Sequence, residues 1–136
     1  MKALIDTCII VDFLQKRDPF FKNSHIIFLA VANYSFEGYI TAKSVADIYY
    51  LMHHYLHDNK KTRIEIEKLF KLFKVLDTTE LDCKKALLSP ISDYEDALMV
   101  ETAIRNKLDC IVTRNKDDYS KSPIKTFLPD DFLNQL

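Results

Sequence analysis

The sequence predicts a three-layer α/β/α sandwich around a mostly parallel central sheet. Short apolar runs of strand length alternate with longer amphipathic stretches along the whole chain. Strands separated in this way by helices pair in parallel through crossovers that cover both faces of the sheet. The 136 residues, 48% apolar and 29% charged, fit one domain over residues 1–136 with enough chain to bury a core. Acidic residues recur just where the apolar runs end, and open α/β sheets gather functional groups at the carboxyl ends of their strands.

Residues 2–6 read as a buried strand, and Thr7 to Gln15 as the helix that follows. Pro19 suits the first turn of a second helix reaching about Ser35. Glu37-Gly38 turns the chain into the strand EGYIT, and Ser44 opens a helix to about His57. From Lys60 to Phe73, Ile66, Leu69, Phe70 and Phe73 share one stripe at helical spacing. KVLDT is a short strand, and Thr79 to Leu88 a helix. Ser92 begins an acidic-then-apolar helix to about Lys107. Asp109–Thr113 and Ile124–Leu128 are the last two strands, and Pro129 starts a short terminal helix.

Composition excludes several classes. Nineteen Lys and Arg against twenty Asp and Glu leave a formal charge of −1, so no global field draws in nucleic acid. The single glycine, Gly38, rules out both the GxGxxG dinucleotide turn and the GxxxxGK[ST] phosphate loop. Cys8, Cys83 and Cys110 are widely spaced and unpaired in pattern, as in a reduced, cytoplasmic protein. Asp6 and Asp12 interrupt the apolar N-terminal stretch, against a signal sequence. The apolar run from His25 to Tyr34 is too short to span a bilayer, and no membrane association is expected.

Four acidic groups stand out: Asp6 after ALI, Asp47 in SVADIYY, Asp93 and Asp96 in SDYEDAL, and Asp117-Asp118 after CIVT. Each has an ordinary structural reading. Asp6 and Asp93 suit helix starts. Ser44 with Asp47, and Ser92 with Glu95, have capping-box spacing, and Glu95 is assigned to the cap. Asp117 and Asp118 suit a solvated turn. Asp96, one turn inside its helix and followed by the apolar ALMV block, is harder to explain as a cap. Carboxylates gathered at one sheet edge repel one another unless a cation neutralises them, and the acids show no internal counter-ion pattern. Hard oxygen ligands without clustered Cys or His point to Mg²⁺ or Mn²⁺, hence to a metal-dependent phosphodiesterase. His53 and His57 stand one turn apart without a third ligand, against zinc. The basic stretch Lys60, Lys61, Arg63, Lys68, Lys71 and Lys74 reads as the solvated face of its helix. Phe20, Phe21, Tyr49 and Tyr50 read as core, and if exposed would suit a dimer seam or a partner groove.

In their order, LIDTCIIVDFL, SVADIYYLM, DYEDALMVETA and IVTRNKDDY resemble the motifs of the PIN domain (PilT N-terminus) family over nearly the whole chain. The resemblance implies a metal-dependent ribonuclease of the VapC toxin type, with an RNA substrate and a small antitoxin partner; a homodimer is the expectation attached to the aromatic residues if they are exposed. It carries catalytic roles onto Asp6, Asp47, Asp93, Asp96 and Asp118, with Asp6, Asp96 and Asp118 as ligands of Mg²⁺ or Mn²⁺. Asp47 stands where most members have Glu. Asn115 stands where many have a fourth Asp, which Asp118 replaces, and Cys8 stands where a polar residue is usual. Thr7, Arg114, Asn115 and Lys116 are the expected contacts to the RNA backbone. Two alternatives stay open: a PIN-like interaction module without catalysis, and a phosphoacceptor receiver domain with Asp77 at the end of a middle strand.

Overall fold

The computed structural model describes residues 1–136. Five strands, β1 (Lys2–Ile5), β2 (Glu37–Thr41), β3 (Lys74–Leu76), β4 (Cys110–Val112) and β5 (Lys125–Phe127), form one sheet in the order β3-β2-β1-β4-β5. Every neighbouring pair is parallel. Seven helices connect and cover them: α1 (Thr7–Leu14), α2 (Phe21–Ala32), α3 (Ala42–Leu56), α4 (Asn59–Leu72), α5 (Glu80–Leu87), α6 (Tyr94–Arg105) and α7 (Pro129–Leu133). A 3₁₀ turn spans Lys116–Tyr119. The three-layer sandwich expected from the alternation is the fold observed.

The period-2 alternation of side chains along a strand divides the core. Ala3, Ile5, Ile40, Val112 and Phe127 face α1, α2, α3, α4 and α7. Leu4, Tyr39 and Ile111 face the opposite way, against Ala86 of α5 and Ala97, Leu98, Val100 and Ala103 of α6. Gly38, opposite Ala3 in the sheet, is required by close approach: a Cβ there would stand 2.8 Å from Phe73 Cδ1 and 2.9 Å from Val31 Cγ2. No helix is long and apolar enough to cross a membrane.

The differences from the expected elements lie at helix starts. α3 begins at Ala42, because Thr41 leaves β2 in extended backbone and its Oγ1 accepts from the Ser44 N–H at 3.0 Å; Ser44 and Asp47 form no capping box. α6 is capped by Asp93, whose Oδ1 accepts from the Asp96 N–H at 3.0 Å, so neither Ser92 nor Glu95 caps it. Pro19 lies in the turn before α2, where the N–H groups of Phe20 and Phe21 bond the Arg17 carbonyl at 2.9 and 2.7 Å. On α4 the buried stripe is Thr62, Ile66 and Leu69, continued by Phe73, while Phe70 is 53% exposed. Phe20 and Tyr50 are also exposed rather than core. β3 is an edge strand, so Asp77 does not end a middle strand and the receiver reading loses its structural ground.

Candidate active site

The chain runs from β1 outward to β2 and β3, then returns to build β4 and β5 on the other side of β1. The strand order therefore reverses between β1 and β4, and a crevice opens outside their carboxyl ends. Asp6 sits at that point, its N–H bonded to the Val112 carbonyl at 3.0 Å. Although at the N-cap position of α1, its side chain makes no capping bond. Its Oδ2 instead accepts from Thr113 Oγ1 at 2.7 Å and from the Tyr119 hydroxyl at 3.4 Å. The hydroxyl of Tyr119, fully buried, lies closer to Asp96 Oδ1, at 3.0 Å, so its single proton is shared between the two carboxylates. One phenol thus joins the carboxylates of Asp6 and Asp96 across the crevice.

Asp6 and Asp96 line a cleft of about 260 Å³ with Thr7, Lys43, Asp47 and Glu95. Burial pushes the Asp6 carboxyl above its usual range, against the hydrogen bonds from Thr113, the Thr7 backbone, Cys8 and Tyr119. Burial also pushes Asp96 up, to about 6; the Tyr119 bond opposes this, and the charges of Asp6, Asp93 and Asp118 add to it. The Tyr119 hydroxyl is driven up by burial, then by Asp6 and Asp96, so it stays a proton donor. Burial and Asp6 raise the Cys8 thiol to about 12, which keeps it protonated and poor as a nucleophile.

The outer wall carries its own cation. Lys43 Nζ bonds Asp47 Oδ2 at 2.5 Å and Glu95 Oε1 at 3.4 Å, linking α3 to α6. The expectation of no internal counter-ion is corrected here: Lys43 and Asp47 are one turn apart on α3, the spacing at which helical ion pairs form. Glu95, assigned from the sequence to a cap, contributes to this bridge instead. Beside the cleft, Thr7 Oγ1 and Thr41 Oγ1 both donate to Ser44 Oγ, at 3.1 and 3.0 Å.

The remaining sequence-derived positions spread over neighbouring surfaces. Asp93 and Asp118 line an adjacent recess of about 200 Å³ with Asp117, Ser92 and Lys121, outside the main cleft. Asn115 and Lys116 are exposed, and the Asn115 N–H bonds Thr113 Oγ1 at 3.0 Å. Arg114 points away from the cleft. Its Nε and Nη2 bond the two oxygens of buried Asp12 at 2.6 and 3.2 Å, and its guanidinium stacks 3.8 Å from the Phe20 ring centre. Its charge is therefore engaged in the fold. The six basic residues from Lys60 to Lys74 are solvated, as expected.

Sequence reasoning missed Tyr119, Thr113 and Lys43. A polar-tipped aromatic directly after Asp118, and the hydroxyl that ends CIVT, were the available signals for the first two. No three Asp, Glu, His or Cys side chains converge closely enough to hold a metal ion among themselves. The donor chemistry still suits a hard divalent ion: two carboxylates of raised proton affinity face one cleft, and Mg²⁺ takes only one or two carboxylates directly, with water completing its shell.

The PIN domain family profile matches residues 2–117. The chain belongs to the PIN domain family. Its fold is similar to that of VapBC2 from Rickettsia felis bound to a promoter DNA fragment, at TM-score 0.68 and 15% identity over 94% of this chain and 98% of that one. FitAcB from Neisseria gonorrhoeae is similar at TM-score 0.69 and 20% identity, over 93% of this chain and 97% of that one. DNA-bound VapBC from Salmonella typhimurium is similar at TM-score 0.68 and 19% identity, over 95% of this chain and 98% of that one. At these identities the likeness is one of fold. No curated protein matches the chain.

Proposed function

We propose that this PIN domain is a Mg²⁺- or Mn²⁺-dependent endoribonuclease and the toxin of a toxin–antitoxin pair. The observation that carries the proposal is the Asp6–Tyr119–Asp96 arrangement at the strand-order reversal, with both carboxyls raised by burial. Asp6 and Asp96 would hold the ion directly, with the charges of Asp93 and Asp118 acting on Asp96 from the adjacent recess. A bound divalent ion supplies a water of lowered pKa and positive charge for the phosphodiester.

The chain's own residues prepare that chemistry. Thr113 and Tyr119 fix the rotamers of Asp6 and Asp96, so each carboxylate presents its remaining oxygen lone pairs to the cleft. Tyr119 keeps its proton and accepts none from a reacting group. Asp47, held by Lys43, lies where it can orient water at the cleft wall. Thr7, Asn115 and Lys116 offer hydroxyl, amide and ammonium groups to an RNA backbone.

The thermal and catalytic test is direct. Mn²⁺ or Mg²⁺ should raise the melting temperature, because an ion that binds only the folded chain stabilises it by mass action. The same ions should support cleavage of single-stranded RNA, and EDTA should stop it. An equal thermal shift in wild type, Asp6→Asn and Asp96→Asn would remove the metal site. Metal binding without cleavage of any RNA would favour the second reading, a partner-binding PIN domain. The Lys43–Asp47 pair favours that reading, because it already neutralises one expected catalytic acid.

The toxin assignment rests on kinship of fold with the VapBC and FitAB complexes. Wild-type expression should arrest bacterial growth, and co-expression of a small protein encoded beside it should relieve the arrest. An Arg or Lys from that partner would answer the carboxylates of the cleft, with its apolar residues seated between helices. Harmless expression of soluble, metal-active protein would identify a housekeeping nuclease instead.

A further inference from the structure

We infer that Lys43 fills the place of a second cation, so that the cleft takes one divalent ion and not two. This rests on the metal-nuclease reading above. The acids of the cleft fall into two pairs with different neighbours. Asp6 and Asp96 lie inside and are met by uncharged donors: Thr113 at Asp6, and the single proton of Tyr119 shared between Asp6 and Asp96. Asp47 and Glu95 lie at the mouth and share the ammonium of Lys43. The inner pair has no cation of its own, whereas the outer pair already has one.

The outer bridge also spans two helices. Burial alone disfavours a charged Lys43, but Asp47 and Glu95 outweigh that effect and hold its pKa above the ordinary value. The ammonium is tied to two helices, α3 through Asp47 and α6 through Glu95, so rotation of either side chain alone does not release it. A divalent ion approaching Asp47 would meet a fixed positive charge at hydrogen-bond distance from the oxygen it needs. Two-ion sites use paired positive charges 3.5–4 Å apart to stabilise the attacking and leaving oxygens together. At the cleft mouth the positive charge is instead an ammonium held by Asp47 and Glu95, which neutralises the outer acids without a coordination shell of its own.

The inference predicts an ion count, which is read without any substrate. Mn²⁺ binding is followed on the full chain by titration calorimetry and by the loss of the free-ion electron paramagnetic resonance signal. Wild type should bind one Mn²⁺. Lys43→Met, which keeps the aliphatic stem and removes the charge, should bind two, and Lys43→Arg should return the count to one. Lys43→Met combined with Asp47→Asn should also bind one, because the second ion would sit on Asp47. Circular dichroism confirms that each variant is folded, and Lys43→Gln replaces Lys43→Met if the latter is not. A count of one in the folded charge-removed variant, or of two in wild type, overturns the inference and leaves the nuclease reading standing. A count of zero in wild type overturns both.

Discussion

Asp96→Asn should cost RNA cleavage on the order of 100-fold or more while the protein remains folded. Even loss of a residue that only orients a metal ligand typically costs about 10–100-fold, and Asp96 is proposed as a ligand itself. Asparagine keeps the shape and one acceptor oxygen for Tyr119, so the hydroxyl bond to position 96 need not be lost. The pH dependence gives a second reading of the same carboxyl. Its folded-state pKa, about 6, stands above the ordinary carboxyl value, so between those values the folded chain binds more protons than the unfolded one. Metal-free wild type should therefore lose stability as pH rises through this window, with the contribution of Asp96 fully present only below it. Asp96→Asn should show a flatter profile.

Cleavage should run the opposite way, falling as pH drops through about 6, because a proton would then compete with the proposed ion for Asp96. In the neighbouring turn, Asp118→Asn should reduce activity more than Asp117→Asn. Both side chains are exposed, but Asp118 is the one whose charge acts on Asp96. Full activity in Asp96→Asn would sink the site assignment. Greater sensitivity at Asp117 would shift the register of the last motif by one residue.

The layers of the fold were legible because they depend on local periodicity. EGYIT is a strand over the five residues expected, and the seven helices lie within about two residues of their expected positions except at the end of α2, which stops at Ala32 rather than about Ser35. Helix starts were less legible because several competent caps stand side by side. Thr41 competes with Ser44, and Asp93 with Ser92; the winner is the residue left extended by the preceding strand or loop. Asp6, Asp47 and Asp96, which line the cleft, were singled out in the sequence, whereas Glu95 was assigned to a cap and Asp93 and Asp118 lie in the adjacent recess. The counter-charges and donors of the cleft acids were not legible, since Tyr119 and Asp6 are 113 residues apart and Lys43 and Glu95 are 52 apart. Lys43–Asp47 alone could have been read locally, from its one-turn spacing. Arg114 shows the same limit: it was singled out as a basic residue beside an acidic turn, and its partner in the fold is an acid 102 positions earlier.

That acid, Asp12, should be among the most destabilising positions to truncate. In the sequence it is an interruption of an apolar helix; in the structure it is 1% exposed, accepts from Arg114 Nε and Nη2, and forms an ion pair with Arg17, whose Nε lies 3.2 Å away. Removing one partner of a buried ion pair commonly costs about 3–5 kcal/mol, because the other charge is left without compensation. Arg17 and Arg114 retain partial contact with solvent, so Asp12→Ala should fall near the lower end, roughly 2–4 kcal/mol. Asp12→Asn, which keeps the volume and one acceptor, should lose less. Urea unfolding measures both, with the midpoint falling and the slope unchanged. The consequence should reach the cleft, because Arg114 directly follows Thr113, whose hydroxyl fixes Asp6 at 2.7 Å. Under conditions where Asp12→Ala is still folded, its Mn²⁺ affinity should therefore weaken, although position 12 does not line the cleft. A midpoint within about 0.5 kcal/mol of wild type, the range of ordinary surface substitutions, would mean that the buried ion pair does not anchor this end of the sheet.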